Sequence, residues 1–248
     1  MADLDPAHPL DFFQALASEF GTTLARKRGA PDLADALMQQ ASADFETNVV
    51  RQCEGQAALA CRGGCAACCA LRVTATAPEI LVVAAYVQGA MSAMPPFGRI
   101  LRHRIEAAAD AAGSLDDDEY LAQERLCPFI VDGHCVIYEV RPLACRGHAS
   151  FDKAACLDAV GGGDEVVPIS TPHHLLRGYV QNALQSALRD AGLAWASYEF
   201  VPALAIALRT DASNAWAAGA DPFASRRAED VSPEEMAATF DEIKTWAR

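Results

Sequence analysis

Cys61-Arg62-Gly63-Gly64-Cys65-Ala66-Ala67-Cys68-Cys69 places four thiols within nine residues. Gaps of three, two and zero residues let the sulfurs converge from one tight turn, and Gly63-Gly64 removes side-chain bulk where the backbone must bend around an ion or cluster. A second set follows at Cys127, Cys135, Cys145 and Cys156. Between its first two members, Phe129-Ile130-Val131 and Val136-Ile137-Tyr138 bracket Asp132-Gly133, which is the signature of a β-hairpin. Such a hairpin returns Cys127 and Cys135 to the same end. Thiolates are soft, charged ligands that suit zinc and iron–sulfur clusters, and binding either requires the thiols to lose their protons. Arg62, Arg72, Arg141 and Arg146 stand close in sequence and are candidates to offset the accumulated negative charge.

Outward from these cysteines the sequence reads as helix. Phe13, Leu16, Ala17, Phe20 and Leu24 share one helical face, as do Leu33, Leu37, Ala41, Phe45 and Val49, the latter helix with Pro31 in its first turn. Thr76-Ala77-Pro78-Glu79 is a capping box, opening a helix that carries Ile80, Val83, Ala84 and Val87 on one side and leaving a loop or short strand before it. Phe97 to Ala112 is helical by composition; Gly113 and the acidic run Asp116 to Glu119, read as a solvated face, interrupt it. Ser170-Thr171-Pro172 starts a long helix with Leu175, Leu176, Tyr179, Val180, Leu184 and Leu188 on one side, and Ser232-Pro233-Glu234-Glu235 starts another with Met236, Phe240, Ile243 and Ala247. Gly161 to Gly163 reads as a flexible loop. The expected fold is mainly α: an irregular helical domain with a small β-hairpin and a cysteine-rich metal-binding centre. Residues 1–52 form N-terminal helices, 53–156 the cysteine region and 157–248 a C-terminal helical region, taken together as one compact domain.

Composition narrows the function. With 20 Lys plus Arg against 33 Asp plus Glu among 248 residues, the net charge of −13 argues against a basic phosphate-binding surface, so no nucleic-acid partner is expected. The longest clearly apolar run, Ile80 to Val87, is far short of the roughly 18 residues of a membrane span, and the first twenty residues carry no Lys or Arg. The reading is a cytoplasmic protein with no membrane span, whose partner is an unidentified protein or small molecule. All nine cysteines lie between Cys53 and Cys156; the odd count and a reducing compartment argue against a disulfide framework and for metal binding.

The ordered elements Cys61 to Cys69, Val73-Thr74, Glu79, Cys127-Pro128-Phe129, Gly133-His134-Cys135-Val136-Ile137-Tyr138, Arg141-Pro142 and Cys145-Arg146 resemble the YkgJ-type cysteine-cluster family, whose domains are described as chelating zinc or iron. The resemblance spans about Cys61 to Cys156. The family's first motif is usually written CxxCxxCC, and this chain has one extra residue between Cys61 and Cys65. The resemblance implies eight metal ligands: Cys61, Cys65, Cys68, Cys69, Cys127, Cys135, Cys145 and Cys156. Cys53 falls outside the pattern and reads as a helix-packing thiol. Eight thiolates complete two four-cysteine sites, or one cluster with spare groups, and adjacent Cys68 and Cys69 point in different directions.

An iron–sulfur cluster or iron site is favoured over zinc, because the tight grouping and the excess over four thiols exceed the needs of one structural zinc; a structural zinc module is the alternative. Cys61-x3-Cys65-x2-Cys68 is also the spacing of radical S-adenosylmethionine enzymes, but Ala67 replaces the usual aromatic and no repeating strand–helix pattern follows. Cys65-Ala66-Ala67-Cys68 as a redox dithiol lacks a preceding strand. A third class is enzymatic, since the cysteine segment also resembles that of flagellin lysine N-methylases, although no catalytic base or cofactor pocket can be placed. His134 and His148, beside Cys135 and Cys145, are secondary candidates for ligation or for hydrogen bonds to thiolate; His173 and His174 read as exposed capping-turn residues, and His8 and His103 carry no local chemistry.

Overall fold

The computed structural model describes residues 8–112, 115, 117–123, 125–228 and 232–246, without the side chains of 117 and 118. Helix dominates, as the apolar periodicity requires. Helices α1 (Pro9–Lys27) and α2 (Leu33–Gln52) bury the two predicted stripes, Phe13, Leu16, Phe20 and Leu24 on one and Leu33, Leu37, Ala41, Phe45 and Val49 on the other. Pro31 precedes the cap residue Asp32 and so stands outside the first turn of α2, whose start is tied back to α1 by the Lys27–Asp32 ion pair. Helix α3 (Ala77–Ala93) begins at the predicted capping box, with both the Thr76 and the Glu79 arms formed. Pro95 and Pro96 open α4 (Pro95–Ala112), and α5 (Asp117–Leu121) is a single short turn. Of the acidic run, Glu119 is exposed, while Asp116 lies outside the described residues.

Two short sheets connect the helices. The hairpin pairs β1 (Ile130–Val131) with β2 (His134–Cys135), and both turn residues have left-handed backbones, Asp132 at φ 49° and Gly133 at φ 77°, as the tight hairpin turn demands. The ladder ends there: Tyr138 belongs to a 3-10 turn rather than to a strand. The second sheet was not anticipated as a pair. Residues Thr74–Thr76, just before α3, run antiparallel to Ser197–Glu199, and Phe200 N–H donates to the Val73 carbonyl.

Helix α6 (Leu143–Gly147) and helix α7 (Lys153–Val160) carry the last two candidate ligands. After α7 the triglycine turns around Asp158, whose carboxylate accepts the Glu165 N–H at 3.0 Å. The long helix α8 (Thr171–Asp190) buries Leu176, Val180, Leu184 and Leu188, whereas Leu175, expected on that stripe, is half exposed. Helices α9 (Phe200–Ala207), α10 (Ala212–Ala217) and α11 (Pro233–Thr245) complete the order, α11 starting on the Ser232 cap; Ala247 lies outside the described residues. One apolar cluster runs from Phe12 to Phe240: α1, α2 and α6 pack on α8, while α3 and α4 pack together and on α9. Among the described residues no helix is long and apolar enough to cross a membrane.

Candidate metal centre

The first cysteine group is built on two turns. Cys65 N–H donates to the Arg62 carbonyl at 2.9 Å, and Gly64, at φ 84°, supplies the left-handed residue that this reversal needs. A 3-10 turn, Ala67–Ala70, then presents Cys68 and Cys69. The predicted hairpin faces this loop, for a Cβ added at Gly64 would sit 3.7 Å from His134 Nε2. His134 Nδ1 lies 2.9 Å from the Asp132 carbonyl.

Backbone bonds bring the second group to the first. Cys127 N–H donates to the Cys69 carbonyl at 2.7 Å, so the chain returns to its starting point after 57 intervening residues. Ser150 binds the other side of the loop: its N–H donates to Cys61 Sγ at 3.3 Å, and its carbonyl accepts the Ala60 N–H at 2.9 Å. Two residues on, Asp152 caps α7 by accepting the Ala154 and Ala155 amides, and α7 packs Cys156 beside the 3-10 turn that carries Cys68.

Two sets of sulfurs result. The Cys61 thiol feels the charges of Cys68, Cys65 and Cys156, whereas Cys127 and Cys145 act on Cys69, and Cys135 acts on Cys127 and Cys145, with Cys68 adjoining both sets. Adjacent Cys68 and Cys69 are differentiated by their mutual contact: Cys69 as donor favours the Cys68 thiolate and lowers it, while Cys68 and burial hold Cys69 above an ordinary thiol. Burial pushes Cys127 up to about 11 and raises Cys61, Cys135 and Cys145. Against burial, the Phe129 N–H is directed at the Cys127 sulfur and the Ile137 N–H at the Cys135 sulfur, each an amide two residues past its thiol. Such donors favour the thiolate form.

The arginines divide differently from their order in sequence. Arg141 acts on Cys135, but Arg146 is committed elsewhere: its buried guanidinium ties Glu46 to the carbonyls of Arg141 and Glu139, bracing the 3-10 turn against α6. Arg72 pairs with Glu199 at 2.8 Å and lies over the Tyr120 ring. Arg104, from α4, is a cation that sequence proximity missed; it bears on Cys127 while donating to the Ile130 carbonyl at 2.8 Å. Cys53 lies apart, its sulfur 3.7 Å from His173 Nδ1 and 4.0 Å from Ser170 Oγ. His173 is half-buried, against the expectation of an exposed capping residue, because that same nitrogen also meets Ser170 Oγ at 2.8 Å; His174 and His148 are exposed. His8 is also more than a bystander, since it caps α1 and stacks on Trp246.

All nine thiols are free. Among the described residues no three His, Cys, Asp or Glu side chains converge tightly enough to grip an ion as they stand. The donor chemistry nonetheless suits a thiophilic cation: many soft donors, and burial that penalises thiolate charge until a cation joins it.

Fold and site together define a mainly helical protein with a cysteine-rich centre. Residues 60–159 match the model of the CxxCxxCC family, described as "Putative zinc- or iron-chelating domain". No curated protein and no solved structure matches the chain.

Proposed function

We propose that the protein binds metal through Cys61, Cys65, Cys68, Cys69, Cys127, Cys135, Cys145 and Cys156, with an iron–sulfur cluster or iron as the resident group. The observation that carries this reading is the Cys127 to Cys69 backbone bond, which makes the two cysteine groups one structural unit and adds a second set of thiols to the first. Eight thiols exceed one four-ligand ion, and the amides directed at Cys127 and Cys135 supply the hydrogen bonds that tune cluster thiolates. A cluster, when bound, would carry single electrons.

Zinc is the second reading. Cys69, Cys127, Cys135 and Cys145 would supply four thiolates, the number that closes a tetrahedral structural zinc site, and zinc would contribute folding free energy alone. Anaerobic purification followed by metal and acid-labile sulfide analysis separates the two. Iron with sulfide and visible charge-transfer absorption is the expected result; colourless protein with stoichiometric zinc selects the second reading. Protein that retains neither metal, and takes up neither when reconstituted, overturns both.

A further inference from the structure

A buried carboxylate lies between the two cysteine groups. Glu79 is 3% exposed, and its oxygens meet three donors: the Thr76 N–H at 2.6 Å and the Thr76 hydroxyl at 2.7 Å on Oε2, and the Leu143 N–H at 2.7 Å on Oε1. With donors on both oxygens, the site is matched to a carboxylate, because a glutamine there has one accepting oxygen and must turn its NH2 towards a backbone N–H. Thr76 ends the strand through which the chain leaves the first cysteine group, and Leu143 opens α6 two residues before Cys145. Glu79 therefore does more than cap α3. It joins the exit of one cysteine group to the helix that presents a thiol of the other.

We infer that Glu79 is a positioning residue of the metal centre, holding Cys145 in reach of the first cysteine group; this rests on the metal-binding reading above. The geometry makes the role testable: losing the clamp between Thr76 and Leu143 would loosen α6 and weaken metal binding.

The full chain is reduced, freed of metal and titrated anaerobically with Co²⁺, reading sulfur-to-cobalt charge transfer per metal alongside far-ultraviolet circular dichroism. Glu79→Gln should retain its helical signal, bind Co²⁺ about 10-fold or more weakly, as when an outer-shell partner of a metal ligand is removed, and lose charge-transfer intensity in the manner of Cys145→Ser. Wild-type or tighter binding by folded Glu79→Gln overturns the positioning role. If Glu79→Gln fails to fold, Thr76→Ala, which removes the hydroxyl donor on Glu79 together with the hydroxyl cap of α3, should shift affinity and intensity in the same direction by less; an unchanged titration overturns the role. A wild-type chain that gives no charge-transfer band fails at the metal-binding reading itself, and the role falls with it.

Discussion

The helical shell and the cysteine centre are held by different forces. In the shell, α1, α2 and α8 bury long stripes of large side chains, and Phe20, Leu37, Val180 and Leu184 are fully enclosed. In the centre the elements are two to eight residues long, too short to bury such stripes, and they are fastened by a few hydrogen bonds: the backbone bonds Cys127 to Cys69 and Ala60 to Ser150, and the three donors on the Glu79 carboxylate. Apolar burial is cumulative and non-directional, so the shell tolerates the loss of any one contact; the centre depends on a few directional bonds and on whatever compensates its buried thiols. The contrast assigns stability to the shell and metal dependence to the centre.

Stripping the metal should produce the largest and most local effect. Amide exchange across residues 127–147 should accelerate by orders of magnitude, since a structural thiolate site can supply roughly 10–16 kcal/mol of apparent binding free energy, while α1 and α8 keep their protection. Equal loss of protection in α8 would erase the distinction. Phe20→Ala attacks the other side. It should cost about 3–5 kcal/mol in denaturant unfolding, with metal content per folded molecule unchanged.

A smaller effect is electrostatic and belongs to the shell. Burial, then the charge of Glu19, pushes Asp44 up to about 6, and its Oδ2 has no hydrogen-bond partner among the described residues. Folded protein therefore keeps a proton that unfolded chain releases near 3.8, so the Asp44 contribution is fully present below that pH and is lost as pH rises through about 6. Asp44→Asn should leave stability nearly unchanged at pH 4 and raise it at pH 7 by about 1–2 kcal/mol after allowance for solvent screening. Denaturation midpoints at the two pH values measure this; a gain of equal size at both would remove the ionisation argument. The smallest effect is expected at Cys53, whose sulfur lies 3.7 Å from His173 and outside both thiol sets. Cys53→Ser should keep full metal content and alter stability by less than about 1 kcal/mol. Metal loss matching that of Cys65→Ser would move the boundary of the centre into α2.

Much of the shell was legible because its signals are local and periodic. The stripes of α1 and α2, the Thr76–Glu79 box and the Asp132-Gly133 turn all lie within short windows of sequence. What escaped depends on contacts between distant segments. Ser197–Glu199 is too short to show alternation, and its partner lies at Thr74–Thr76. Leu175 satisfies the helical period yet faces outward, at the edge of the stripe on α8. The cysteine list could be written from spacing and resemblance, but its division could not: only the fold reveals that Ser150 aligns Cys61 with α7, that Arg104 rather than Arg146 acts on a thiol, and that Glu79 reaches Leu143.

The packing of α1 and α2 on α8 also bears on biosynthesis. A ribosome delivers Cys61 through Cys156 before it delivers residues 171–190, the helix against which the first two helices close. All nine thiols thus leave the ribosome ahead of the helix that closes the interior.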